Sequence, residues 1–171
     1  MKLTKLERRI LINQLEILKH LDKEAQDYEE RITILREGYS FRYEEAVGGV
    51  WDEVSESEYA FVLEVLSMFR MIEWYKEDSG DTLSGALFSH FAGFDRNYEG
   101  TLLRTAKFEI RRENNWDEQK KYEHKTDRFN SHCPLRPTYE RMLAVFKTFP
   151  TERLTGDQVT AILAAAEAPR R

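Results

Sequence analysis

Few side chains in this sequence could carry chemistry, and they are scattered. The four histidines, His20, His90, His124 and His132, include no pair three or four residues apart, the spacing that would set two ligands on one helix face. A structural zinc site needs four soft ligands in a compact set, and with one cysteine, Cys133, none is expected; no other metal and no cofactor is signalled. Cys133 follows His132, which has the composition of a thiol beside its base. Chain neighbours point apart, however, and a catalytic Cys–His pair is normally assembled across a fold. Cys133 therefore reads as a small buried apolar residue before Pro134.

Glu99 and Glu109 fall on the apolar side of one expected helix, where burial would raise a carboxyl pKa. Ten helical residues separate them by about 15 Å, too far to act on one bond. Each is expected to meet an arginine instead, Arg141 being a candidate. A glycine-rich phosphate loop, a Gly-x-Ser-x-Gly elbow and a Cys-x-x-Cys pair are all missing. Basic and aromatic residues interleave from Arg104 to Trp116, as on single-stranded nucleic-acid surfaces. Glu109, Glu113, Asp117 and Glu118 make the same stretch read as a solvated mixed-charge face.

The candidate site is placed where two polar-aromatic segments would meet. Asp95 and Asn97 stand at an expected helix start, where backbone donors favour anions. Asp127, Asn130 and His132 belong to a proline-bounded loop, and Arg141 lies on the helix after it. A plainer reading makes Asp95, Asn130 and Ser131 caps and turn residues. The alternatives are a hydrolase using His132 with Asp95 or Asp127 as acid and base, and a nucleic-acid-associated regulator. The missing motifs favour a non-enzymatic module that binds a small molecule or a protein.

These residues need a scaffold, and the pattern is helical throughout. The chain has 171 residues, 41% hydrophobic and 33% charged, an ordinary globular composition from which one domain over 1–171 and one core are expected. The net charge of −5 argues against nucleic acid, which needs a basic face. No signal peptide or membrane span is read, and one cysteine suits a reducing compartment, so a cytoplasmic location is expected.

The central element is an expected helix from Ser55 to Tyr75, apolar around more than half its circumference and opened by a Ser55/Glu58 capping box. Thr4/Glu7 opens a first helix to Leu21, with Leu3, Leu6, Ile10, Leu11, Leu15, Ile17, Leu18 and Leu21 on one arc and Gln14 within it. A second helix is expected from about Asp22 to Arg36, stopped by Gly38. Tyr39, Phe41 and Tyr43 alternate, which suggests one short extended segment or a covering loop. Asp95 is read as the N-cap of a helix to Arg112 that turns Tyr98, Leu102, Leu103, Ala106 and Ile110 inward. Residues 114–125 read as a linker or loosely packed excursion. Pro137 opens a helix ended by Pro150, and a Thr155/Gln158 capping box opens the last, to about residue 168. The sum is an all-α, compact multi-helix domain of about six to eight helices. The greasy central helix leaves room for a helix-mediated homo-oligomer.

Two signatures, Phe91-Ala92-Gly93-Phe94-Asp95-Arg96-Asn97-Tyr98-Glu99 and Asp127-Arg128-Phe129-Asn130-Ser131-His132, are followed by Tyr139-Glu140-Arg141-Met142-Leu143. With Ile12-Asn13-Gln14-Leu15, Leu21-Asp22, Gly38-Tyr39 and Leu154-Thr155 in the same order, they resemble the YfbU family of bacterial helical proteins. The resemblance spans essentially the whole chain and departs at 114–125, which is more charged here. It implies an all-helical fold and carries over no activity or catalytic residue. Some related domains accompany DNA-binding segments, which implies a ligand-binding or regulatory module. The resemblance begins at the first residues, which argues against a transcription-factor role.

Overall fold

The structure, a computed structural model, describes residues 1–22, 27–112, 115–150 and 152–167. Among them are eight α-helices and no strand, so the protein is all-α. Its contacts divide it into two units, Met1–Glu53 and Val54–Arg171. Each has its own cluster of buried apolar residues where one core is expected.

The first unit is a helical hairpin. Helix α1 (Lys5–Leu21) begins at a reciprocal capping box: the Glu7 N–H donates to the Thr4 hydroxyl and the Thr4 N–H to the Glu7 carboxylate, at 3.2 and 2.7 Å. It packs on α2 (Tyr28–Glu37), whose expected beginning near Asp22 runs into residues outside the described ones. Asp22 instead closes α1, its N–H donating to the Leu18 carbonyl. Gly38 ends α2 in the left-handed conformation that glycine adopts without penalty.

Of the apolar arc expected on α1, Leu15 is buried, joined by Ile12 from outside that arc. Leu6, Ile10, Ile17, Leu18 and Leu21 are exposed, as is Gln14. Residues 39–43 are not extended: Ser40–Arg42 form a 3₁₀ turn that runs into α3 (Tyr43–Val47). A lone strand has no neighbour to satisfy its backbone, whereas the turn satisfies it locally, the Arg42 N–H reaching the Tyr39 carbonyl at 2.9 Å. Tyr43 is buried, and Phe41 faces solvent.

The second unit is built around α4 (Glu56–Ser79). The Ser55 hydroxyl accepts the Glu58 N–H, and Gly80 ends the helix four residues beyond Tyr75. Val62, Val65, Leu66, Met68, Phe69 and Ile72 are fully buried against α5 (Gly100–Arg111), α6 (Asp117–Lys120), α7 (Arg136–Phe146) and α8 (Gly156–Ala164). At its centre Phe91 touches the rings of Phe69, Phe94, Phe129 and Tyr139, with centroids 5.6 to 5.9 Å apart. That spacing suits offset and edge-on aromatic pairs. Burial drives the Tyr139 phenol well above its ordinary pKa.

Residues 115–125 are a packed part of this unit, not a loose excursion. Trp116, Gln119 and Tyr122 are buried. The Arg70 guanidinium lies 3.7 Å from the centre of the Trp116 ring while binding Glu118 at 2.8 Å and the Asn115 carbonyl. Here an arginine on the central helix supplies what the polar segment lacks in apolar surface. The capping box of α8 forms as expected; residues 168–171 lie outside the described ones. Among the described residues no helix is long and apolar enough to cross a membrane.

Candidate functional site

The two signature segments meet through their backbones. The Phe94 N–H donates to the Phe129 carbonyl at 3.0 Å, and the Ser131 N–H to the Phe94 carbonyl at 3.2 Å, a single bridge of parallel sense. This fixes the chain on either side. Asn130 turns its amide oxygen to the Arg96 N–H at 3.1 Å, and its amide nitrogen lies 3.3 Å from both the Asp127 carboxylate and a His132 ring nitrogen. His132 Nε2 is 3.0 Å from Asp127 Oδ2. Asp127, Asn130 and His132 therefore form one hydrogen-bonded group.

The group is presented outward. Asn130 is buried, whereas the side chains of Asp127 and His132 are 58 and 68% exposed. The hydrogen bond from Asn130, with His132 and Arg96 nearby adding to it, holds the Asp127 carboxyl below its usual pKa. Asp127, Arg128, Phe129 and His132 all have left-handed φ, from 44 to 62°, a conformation L-residues adopt at a cost.

The other expected site residues are engaged elsewhere. Asp95 is buried, and its carboxylate accepts the N–H groups of Asn97 and Tyr98 at 2.7 and 2.9 Å. It closes a turn ahead of α5 and does not cap the helix, so Tyr98 is carried outward to 80% exposure instead of facing the core. Asn97 is exposed and enters this network through its backbone, and Cys133, expected to be buried, is exposed on the loop that follows His132. Arg141 is bound to the carbonyls of Ala165 and Ala166 at the end of α8, at 3.2 and 2.7 Å.

The buried glutamates are satisfied without Arg141. Glu99 receives the N–H groups of Asp95, Leu135 and Arg136. Glu109 receives the Tyr59 hydroxyl, Arg112 and Asn115.

A second polar centre has no counterpart in the sequence reading. The carboxylate of Glu73, 1% exposed, receives Lys76 at 2.6 Å, Lys121 at 2.7 Å and the Tyr122 hydroxyl at 2.9 Å. His90 stacks on Tyr122, with centroids 4.5 Å apart. Burial, and then the nearby Lys76 charge, hold its pKa below that of a free histidine. The available signal was a glutamate between Ile72 and Trp74 on an otherwise apolar helix. Among the described residues, no three His, Cys, Asp or Glu side chains converge as metal ligands would.

An all-α protein with an outward-facing imidazole–carboxylate pair belongs to no single activity class, and comparison with known proteins supplies the family. The model of the YfbU domain matches residues 1–165, through both units. A UPF0304 protein of Methanocaldococcus jannaschii is 38% identical over 149 residues, covering 85% of this chain and 88% of its own. The chain belongs to the YfbU family.

Proposed function

We propose that this chain is a cytoplasmic, non-enzymatic binding or regulatory module that self-associates and takes a small polar ligand or a protein partner at Asp127, Asn130 and His132. The observation that supports it is the bridge between Phe94 and Asn130. It holds the buried Asn130 amide between Asp127 and His132, so that a carboxylate and an imidazole are positioned in advance on the surface. Positioning of this kind reduces the ordering cost of binding.

A hydrolase would use the same His132–Asp127 pair. At more than half exposure, however, the pair lacks the water-excluded setting in which catalytic groups act most strongly, and Asp95 is already occupied by its own turn.

Native mass spectrometry of protein purified gently from cells tests the reading. The expected result is a mass excess or a bound partner that is lost on denaturation and is missing from a folded His132→Ala variant. Equal retention by the variant would overturn the placement, and a bare chain in both preparations would overturn the binding role.

A further inference from the structure

The outward face of α1 carries an apolar stripe. Leu6, Ile10, Ile17, Leu18 and Leu21 are between 46 and 78% exposed, although the opposite face of the helix is packed on α2 through Ile12 and Leu15. Successive helical residues rotate by about 100°. On that wheel Leu6, Ile10, Ile17 and Leu21 fall within a narrow sector, with Asn13 and Gln14 at its middle, one on either side.

Apart from Leu18, which lies at the stripe's edge, the residues of the stripe match one another about its middle. Counted inward from both ends, Leu6 answers Leu21, Ile10 answers Ile17, and Asn13 answers Gln14. A two-fold axis running beside α1, perpendicular to it and level with Asn13 and Gln14, therefore matches the stripe to that of a second copy. In an antiparallel pair Leu6 lies opposite Leu21 of the second copy and Ile10 opposite Ile17 of the second copy. The amides of Asn13 and Gln14 gather at the axis, where polar groups within an apolar seam set register. Self-matching of this kind is what an isologous contact requires, and a stripe serving an unrelated partner has no need of it.

Resting on the self-association proposed above, we infer that two copies of this chain pair antiparallel through α1. The flanking charges agree. Arg9 and Glu16 lie along one edge of the stripe, and the two-fold operation brings Arg9 beside Glu16 of the second copy, a carboxylate that also holds Arg36 of its own chain at 3.3 Å. Arg8 and Lys19, which would repel across such a seam, point to the far side, where Arg8 binds the Leu35 carbonyl and Lys19 binds Glu29. The stripe runs about 22 Å along the helix. A seam of that length falls in the small class of interfaces, below about 1,200 Å², so the dimer is in equilibrium with monomer.

Sedimentation velocity on the full chain, over about 1 to 100 μM, tests this. The wild-type chain should shift from monomer toward dimer as concentration rises. Ile10→Asp with Ile17→Asp should remain monomeric with an unchanged circular dichroism spectrum, both side chains being at the surface. Arg9→Glu should weaken dimerisation about tenfold, whereas Glu16, which also holds Arg36 of its own chain, is left unchanged. A dimer unaffected by the aspartates and by Arg9→Glu would overturn this interface and leave self-association standing. A wild-type chain that is monomeric throughout would overturn both.

Discussion

A Cβ atom added to Gly93 would lie 1.8 Å from the carbonyl oxygen of Phe129. The two signature segments therefore meet at a distance that glycine alone allows, and the same carbonyl receives the Phe94 N–H. Gly93 also has φ +96°, so a side chain there meets both a clash and an unfavourable backbone. Gly93→Ala should destabilise the protein by about 3 kcal/mol or more, since overpacking and a left-handed L-residue each carry a cost. Gly80, at φ +72° with nothing within 4 Å of its added Cβ, isolates the backbone part: Gly80→Ala should cost about 1 to 2 kcal/mol. Urea unfolding of the two variants checks this, and equal losses would show that the close approach is not rigid.

Glu99 joins the first signature to the start of α7. One carboxylate oxygen takes the N–H groups of Asp95 and Leu135, each at 3.0 Å, and the other takes that of Arg136 at 2.7 Å. It thus caps a helix 36 residues further along, and negative charge there also suits the helix dipole. Glu99→Ala strands two buried donors and the partly buried Arg136 N–H, and each unsatisfied buried donor costs about 1 to 3 kcal/mol. The variant should lose at least about 2 kcal/mol in urea titration. A loss below about 1 kcal/mol would mean that water replaces the carboxylate.

Local signals were legible in the sequence, and non-local ones were not. The caps at Thr4, Ser55 and Thr155 and the stop at Gly38 could be read because each involves residues at most four apart. Which side of α1 turns inward could not, because periodicity gives the width of an apolar arc and not the neighbour that covers it. That is why Ile12 is buried while Leu6 and Leu21 are exposed. Asp95 was recognisable as a capping residue, but spacing does not say whether it caps a helix or a separate turn, and that choice decides where Tyr98 points. The grouping of Asp127, Asn130 and His132 is local and was read. The removal of Arg141 from it depends on the carbonyls of Ala165 and Ala166, just past a helix whose docking no motif announces.

The Glu73 centre should be sensitive to a single oxygen. The Tyr122 hydroxyl donates to Glu73 at 2.9 Å and accepts from Lys76 at 2.9 Å. Tyr122→Phe keeps the ring against His90 and leaves buried polar groups short of a partner, at an expected cost of about 1 to 3 kcal/mol. Tyr98→Phe, at an exposed position, should change stability by less than about 0.5 kcal/mol. Thermal unfolding of the pair checks the contrast, and a neutral Tyr122→Phe would show that Lys76 and Lys121 satisfy Glu73 without it.

His90 should impose a pH dependence of definite sign. Its pKa in the folded chain is held below the ordinary value of 6.5, first by burial and then by the Lys76 and Lys125 charges, with Glu73 opposing. The unfolded chain therefore takes up a proton at a higher pH than the folded one does. Above about pH 6.5 both forms are neutral at this position, and its contribution to stability is fully present. As pH falls below that value the unfolded chain gains the proton first, and stability declines until the folded form is protonated as well. His90→Phe keeps an aromatic ring to stack on Tyr122 and cannot titrate. Carboxylates respond alike in the two proteins, so the difference in thermal midpoint between wild type and variant isolates the imidazole. The midpoint of the wild type should fall further than that of His90→Phe between about pH 7 and pH 5. Parallel curves would show that the imidazole is protonated in the folded chain as readily as in the unfolded one.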